Sequence, residues 1–368
     1  MNKKLMCVLF SIMLSGVFLL SGCGPDALQQ EEAEGLVVTD LVGREVSLTK
    51  LVAEKVVAIG PGALRLYCYV NGIDKVVGVE QIEKDTPTGR PYLLAYPALT
   101  DLPVIGPGGP NNAPDPEEIL AVKPDVIFST YNTEKAALDE LQTKTGIPVV
   151  ALSYGKVSTF DPQVNQSLEL IGKITGQEEK AEEVIAFIKG CQQDLNERTK
   201  DVPDSEKPSV YIGALSSRGT HGIESTQSKY SLFQAINAKN VADGIDKAGS
   251  IMIDKEKLID WDPDIIFIDL SGYPMVQEDY GKNPKFYKTL TAVQKGELYS
   301  QMPYNFYTTN IDTAITNAYY LGKVLYSQQF RDIDPVEKAD EIYESLLGQK
   351  LYARMEKDFG GFKKLTLP

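Results

Sequence analysis

Asp115-Pro-Glu-Glu-Ile-Leu-Ala-Val-Lys-Pro-Asp-Val-Ile-Phe128 returns later in the chain as Asp254-Lys-Glu-Lys-Leu-Ile-Asp-Trp-Asp-Pro-Asp-Ile-Ile-Phe267, and the two stretches align without a gap. Asp115 pairs with Asp254, Glu117 with Glu256, Pro124 with Pro263, Asp125 with Asp264 and Phe128 with Phe267, a constant offset of 139 positions (115 to 254). Each copy reads as a short helix capped by an aspartate, a Pro-Asp turn and a buried strand. A helix-turn-strand unit used twice at this distance predicts two equivalent lobes.

Outward from the repeat, short β-branched runs alternate with helical patterns, which is the signature of α/β units with mainly parallel sheets. In the first half, strands are expected at Val56 to Gly60, Val76 to Val79, Asp125 to Phe128 and Pro148 to Leu152, with helices at Ala63 to Asn71 and Thr133 to Thr143. A second series has strands at Ser209 to Gly213, Asp264 to Ile268 and Glu297 to Tyr299, then helices at Ile311 to Tyr326 and Pro335 to Leu347. Between them an unbroken helical pattern runs from about Glu178 to Lys200, with apolar Ala181, Val184, Ile185, Phe187, Ile188 and Leu195. The fold class expected is therefore α/β, with two α/β lobes joined by one long linker helix. The boundaries are residues 37–160 for the N-terminal lobe, 161–203 for the helical linker and 204–368 for the C-terminal lobe.

The ends add a cellular address. Lys3 and Lys4 precede an apolar run from Leu5 to Leu20 that closes in Leu20-Ser21-Gly22-Cys23. The run is shorter than the roughly 20 residues a membrane-crossing helix needs, and small residues follow it, so residues 1–22 read as a signal peptide. The last four residues match a lipobox. Cys23 would then be the acylated first residue of the mature chain, and residues 23–36 a lipidated tether holding the protein on the extracytoplasmic face of the cell membrane. Loss of residues 1–22, which hold two lysines and no acid, moves the formal charge from −14 to −16. So acidic a chain is not a nucleic-acid binder. Cys68 and Cys191 fall in helical patterns far apart and read as buried apolar fillers rather than a disulfide.

These features together resemble the class III, helix-linked substrate-binding proteins of iron-siderophore, haem and cobalamin ABC importers. The residues that carry the likeness are the lipobox, the opening Val38-Thr-Asp-Leu-Val-Gly-Arg-Glu-Val46, the strand and turn Val56 to Gly60, the twin Pro-Asp repeat and the long central helix. The resemblance implies a ligand cleft between the lobes, modest hinge closure, a monomer, and permease and ATPase subunits as partners. It also implies that an exposed glutamate on each lobe docks onto arginines of the permease, here Glu117 and Glu256. Two carboxylates set far apart fix both position and orientation on a two-fold related partner. Each also complements the dipole of its helix.

Catalytic and metal-ion signatures are weak. No Gly-x-Ser-x-Gly elbow or phosphate loop occurs, and with His221 as the one histidine a gripping site for a bare transition metal is not expected. Neither a catalytic residue, a metal site nor a cofactor is therefore assigned, and the ligand expected is a small-molecule metal chelate. The competing reading is a surface-anchored chelatase-like or hydrolytic enzyme on a similar scaffold, with His221 as acid or base. Ligands of open α/β sheets sit beyond the carboxyl ends of the strands. The loops there nominate Arg65, Arg90, Tyr131, Arg218, His221, Tyr304 and Tyr307, because arginine grips carboxylates and aromatic rings stack on flat ligands. Gly106-Pro-Gly-Gly-Pro-Asn-Asn112 reads as a turn-rich segment at the cleft mouth.

Overall fold

The computed structural model describes residues 35–85, 88–109, 111–157, 159–216, 219–247 and 249–368. The signal peptide, Cys23 and Arg218 lie outside the described residues. Strands β1 (Val37–Thr39) and β2 (Glu45–Ser47) open the chain as an antiparallel hairpin. There follow β3 (Val56–Ile59), α1 (Ala63–Asn71), α2 (Gln81–Asp85), α3 (Pro91–Ala95), α4 (Pro116–Val122), β4 (Val126–Ser129), α5 (Lys135–Thr145) and β5 (Val149–Ala151). β3, β4 and β5 form a parallel sheet in that order, with Val56 beside Val126 and Ile127 beside Val149. Every residue of the three strands is buried, as a parallel sheet covered on both faces demands.

The stretch between the sheets holds two helices, α6 (Pro162–Thr175) and α7 (Glu178–Thr199), parted at Gly176. The 22 residues of α7 span about 33 Å. Beyond them come β6 (Ser209–Gly213), β7 (Ser225–Ser228), α8 (Ser231–Ala235), β8 (Lys239–Asn240), β9 (Gly249–Met252), α9 (Lys255–Trp261) and β10 (Ile265–Asp269). The chain ends with α10 (Tyr273–Lys282), α11 (Pro284–Thr289), α12 (Thr291–Gln294), β11 (Leu298–Gln301), α13 (Ile311–Leu325), α14 (Pro335–Leu347) and α15 (Tyr352–Phe359). The second sheet is parallel with order β11-β10-β6-β8, and β7 and β9 pair antiparallel beside it. This is the two-lobed α/β architecture that the repeat predicts.

The repeat is physical as well as textual. Each copy leaves its helix through a non-glycine residue in the left-handed region, Lys123 at φ 51° and Asp262 at φ 36°, and the following proline prevents the helix from continuing. Each Pro-Asp aspartate then ties the neighbouring strand. Asp125 accepts hydrogen bonds from the amides of Glu54 (2.8 Å) and Lys55 (3.0 Å), and Asp264 accepts from the Ser209 amide (2.8 Å). Trp261, at the end of the second copy's helix, packs its ring 6.3 Å from that of Tyr211.

Some expectations need correction. Asp115 does cap α4 through the amides of Glu117 and Glu118, whereas Asp254 occupies the same position on α9 without any side-chain cap. Val76 to Val79 is not a strand, because Val76 bridges to Val56 and Val79 to Val104, so the chain crosses between two neighbours instead of pairing along one. The helix expected from Thr133 begins at Lys135. Cys68 and Cys191 are buried free thiols, and burial pushes Cys191 up to about 11. The largest apolar core runs unbroken from β3 and α1 through α7 to α13 and α14.

Candidate functional site

The segment Pro303 to Asn310, between β11 and α13, reaches from the second sheet onto the first lobe. It comes so close that glycine is required beneath it. A Cβ on Gly62 (φ 79°) would lie 2.5 Å from Thr308 Cγ2, and one on Gly89 (φ 78°) would lie 2.5 Å from the Phe306 ring. Tyr307 and Thr308 are themselves in the left-handed region at φ 50° and 67°, a strained choice for β-branched threonine.

Arg65, in the first turn of α1, clamps this strained loop. Its Nη1 donates to the carbonyl of Thr309 (3.0 Å) and to Tyr154 Oη (3.2 Å), and its Nη2 donates to the carbonyl of Phe306 (2.7 Å). The Tyr92 ring lies 5.1 Å from its guanidinium carbon, and the side chain is 0% exposed. The sequence nominates Arg65 for ligand contact; the geometry engages it with backbone carbonyls across the seam. Asn310 Nδ2 donates to the Gly89 carbonyl (2.6 Å), and Tyr69 Oη donates to Asp312 (2.9 Å), so the start of α13 is tied to α1 as well.

Beside this clamp lies a compact charge network. Arg90 Nη1 donates to Glu83 (3.0 Å) and to the Ile82 carbonyl (2.6 Å), and its guanidinium carbon is 5.5 Å from the centre of the Tyr307 ring. Tyr307 Oη donates to Glu80 (2.9 Å) and accepts from the Gly109 amide (2.8 Å), while the Gly60 amide also donates to Glu80 (3.0 Å). The glycine-rich segment thus meets the seam through Gly109. Burial raises the Glu80 carboxyl to about 7, against the lowering effect of the Tyr307 hydrogen bond.

Two cavities flank the 303–310 segment. The larger, about 510 Å³, has Pro61, Ile82 and Arg90 on one side and Ser216, Gly219, Thr220, Ser271 and the run Asn305 to Thr308 on the other. The smaller, about 220 Å³, shares Ser216 and Asn305 with it and is lined by Lys156, Tyr304 and Asp269 among others. Asp269 ends β10; burial raises its carboxyl to about 6, opposed by hydrogen bonds from the Ser271 hydroxyl and amide.

The structure thus brings Arg90 and Tyr307 to the larger cavity and Tyr304 to the smaller one. His221 is partly exposed, one residue beyond Thr220 of the cavity wall, and Tyr131 packs its backbone over Gly60. Glu117 and Glu256 are exposed in the first turns of α4 and α9. Ile82, Ser271 and Asn305 escaped the sequence reading, because nothing in their type or spacing sets them apart from ordinary loop residues. Among the described residues no three His, Cys, Asp or Glu side chains are grouped to hold a metal ion, and no helix is long and apolar enough to cross a membrane.

Two α/β lobes, a helical connection and a cavity walled from both sides define a bilobal ligand-binding protein. The chain belongs to the periplasmic binding protein family, whose model matches residues 56–303. It is 24% identical over 266 residues to YvrC of Bacillus subtilis (strain 168), an uncharacterized ABC transporter substrate-binding lipoprotein, covering 70% of this chain and 79% of that one. The molybdate-binding protein MolA of Haemophilus influenzae is 23% identical over 346 residues, covering 89% and 95%. The structure of MolA bound to molybdate superposes with a TM-score of 0.66 at 19% identity, covering 86% of this chain and 98% of MolA. An iron-uptake system-binding protein of Bacillus subtilis (strain 168) is 28% identical over 201 residues, covering 52% and 60%. The protein is a substrate-binding protein of an ABC transporter, with a small-molecule ligand and permease and ATPase partners, and its family and relatives are transport proteins rather than enzymes.

Proposed function

We propose that the protein captures a preformed metal chelate, of the ferric-siderophore class ahead of haem and cobalamin, and delivers it to its permease. The observation that carries this reading is the cavity of about 510 Å³ walled by both lobes, a size suited to an organic ligand of several hundred daltons. The two relatives point to different cargo, one named for molybdate and one for iron uptake. A bare tetrahedral oxyanion asks for a tight shell of donors. This cavity is instead lined by Phe306, Tyr307 and Ile82, with Arg90, ion-paired to Glu83, in its wall. Aromatic faces and one guanidinium suit a chelate with flat rings and anionic groups. Arg90, Tyr307, Tyr304 and His221, with Arg218 on the same loop as His221, are the residues proposed to meet it.

Acyl chains on Cys23 would hold the protein at the outer face of the membrane, and Glu117 and Glu256 would dock it on permease arginines. Native mass spectrometry of protein purified from its own host tests the ligand and the anchor together. The expected result is a bound metal complex of several hundred daltons and an N-terminus beginning at acylated Cys23. Retention of molybdate alone, with no binding of ferric siderophore, haem or cobalamin in calorimetry, would overturn the chelate reading. An N-terminus without lipid would overturn the anchor.

A further inference from the structure

The two copies of the repeat agree in a respect that their fold does not require. In α4 the exposed positions are 117, 118, 120 and 121 around buried Ile119; in α9 they are 256, 257, 259 and 260 around buried Leu258. These are the same positions at the 139-residue offset. Among those four exposed pairs, Glu118 is replaced by Lys257 and Ala121 by Asp260. The two pairs that keep their chemistry are Glu117 with Glu256 and Leu120 with Ile259. Leu120 is 42% exposed and Ile259 40%. Glutamate and aliphatic residue are three positions apart in each helix and therefore lie on one face.

One exposed leucine is ordinary. A large aliphatic side chain left in water at the same place on both lobes, beside a glutamate with no ion pair among the described residues, calls for a partner. Neighbouring cations are committed elsewhere: Lys255 bonds to Glu224 and Asp279, and Lys257 lies 5.5 Å from the centre of the Trp261 ring. Each lobe thus presents a free carboxylate and an apolar knob in the same arrangement.

We propose that Leu120 and Ile259 are the apolar anchors of the docking face, each seated in an apolar recess beside a basic group on one of two symmetry-related membrane subunits of the importer. The proposal rests on the reading that Glu117 and Glu256 dock there, and adds a division of labour. The glutamates steer and orient the encounter, an effect that salt screens. The aliphatic pair, desolvated on contact, governs how long the complex lasts.

The test uses the full-length protein and its reconstituted importer, with Leu120→Gln, Ile259→Gln and the double variant beside Glu117→Arg/Glu256→Arg. Ligand affinity should stay unchanged in all of them; melting temperature should stay unchanged in the glutamine variants and fall slightly in the arginine variant, whose new cations oppose the helix dipoles. The double glutamine variant should dissociate from the importer about tenfold faster or more, with its salt dependence retained. The double arginine variant should associate more slowly, and added salt should no longer slow its association, because salt now screens a repulsion. If the arginine variant fails to dock while the glutamine variant dissociates at the wild-type rate, the docking reading stands and this proposal is overturned. If both dock normally, both readings fall. If sedimentation shows that the wild type self-associates and the glutamine variant does not, the knobs serve a second copy of the chain and the proposal is equally overturned.

Discussion

Glu80 is 5% exposed at the seam, where the Gly60 amide and Tyr307 Oη both donate to its carboxylate, with Glu83 and Arg90 close by. Burial dominates its titration and raises it from 4.5 to about 7. A carboxyl with a folded-state value above its unfolded one binds more protons folded than unfolded between those values. Its contribution to stability is therefore complete below about pH 4.5 and is lost as pH rises through 7. Glu80→Gln keeps an acceptor for Tyr307 but removes the buried charge. The variant should be more stable than wild type at pH 8 by up to about 3 kcal/mol, with the difference closing toward pH 5. Urea titrations of both proteins across that range check this, and a difference independent of pH would sink it. The buried Asp269, raised to about 6, shifts with the same sign but is present in both proteins and cancels.

At the scale of elements, the helices of the repeat allow a controlled comparison. Asp115 and Asp254 hold the same N-cap position, yet only Asp115 accepts hydrogen bonds from its first-turn amides, at 3.1 and 3.2 Å. Asp115→Ala should therefore cost about 1 kcal/mol, as cap removal generally does, while Asp254→Ala should change stability by less than half of that. Equal losses in chemical denaturation would show that the caps are equivalent in solution. The comparison also marks how far local reading reaches. Helix, Pro-Asp turn and strand appear in both copies because each depends on near neighbours. Whether an aspartate turns its carboxylate onto its own helix depends on what else surrounds it.

Across the whole molecule, Arg65 is the joint. Its guanidinium sits on α1, and the carbonyls it meets belong to a loop 241 to 244 positions later, on the far side of the helical connection. It bonds carbonyls on either side of Thr308, which is in the left-handed region, and so fixes the segment that lines the larger cavity. Arg65→Met would leave the buried carbonyl of Thr309 and the part-buried carbonyl of Phe306 without their donor, a loss of about 3 kcal/mol. Arg65→Lys should recover little, since an ammonium cannot reproduce the planar fork. Equilibrium unfolding measures both, and a loss under about 1 kcal/mol in the methionine variant would rule out a joint.

The alternation of β-branched and helical runs, the twin Pro-Asp unit and the helical pattern from Glu178 to Lys200 were sufficient for the α/β class, the two lobes and the helical connection, since hydrophobic period, turn chemistry and repetition are all written in consecutive residues. The site was legible only as a set of loops. Arg90, Tyr304 and Tyr307 stand out in the sequence because their residue types suit a ligand, and the structure places them in cavity walls. By the same criteria Arg65 looked like a ligand grip. Tertiary structure alone decided that its donors face carbonyls of the other half of the chain, that Glu80 is buried against Tyr307, and that Leu120 and Ile259 are left in water at matching places. Each of those outcomes depends on which distant surfaces meet, and long-range contact is information that no local pattern of side chains carries.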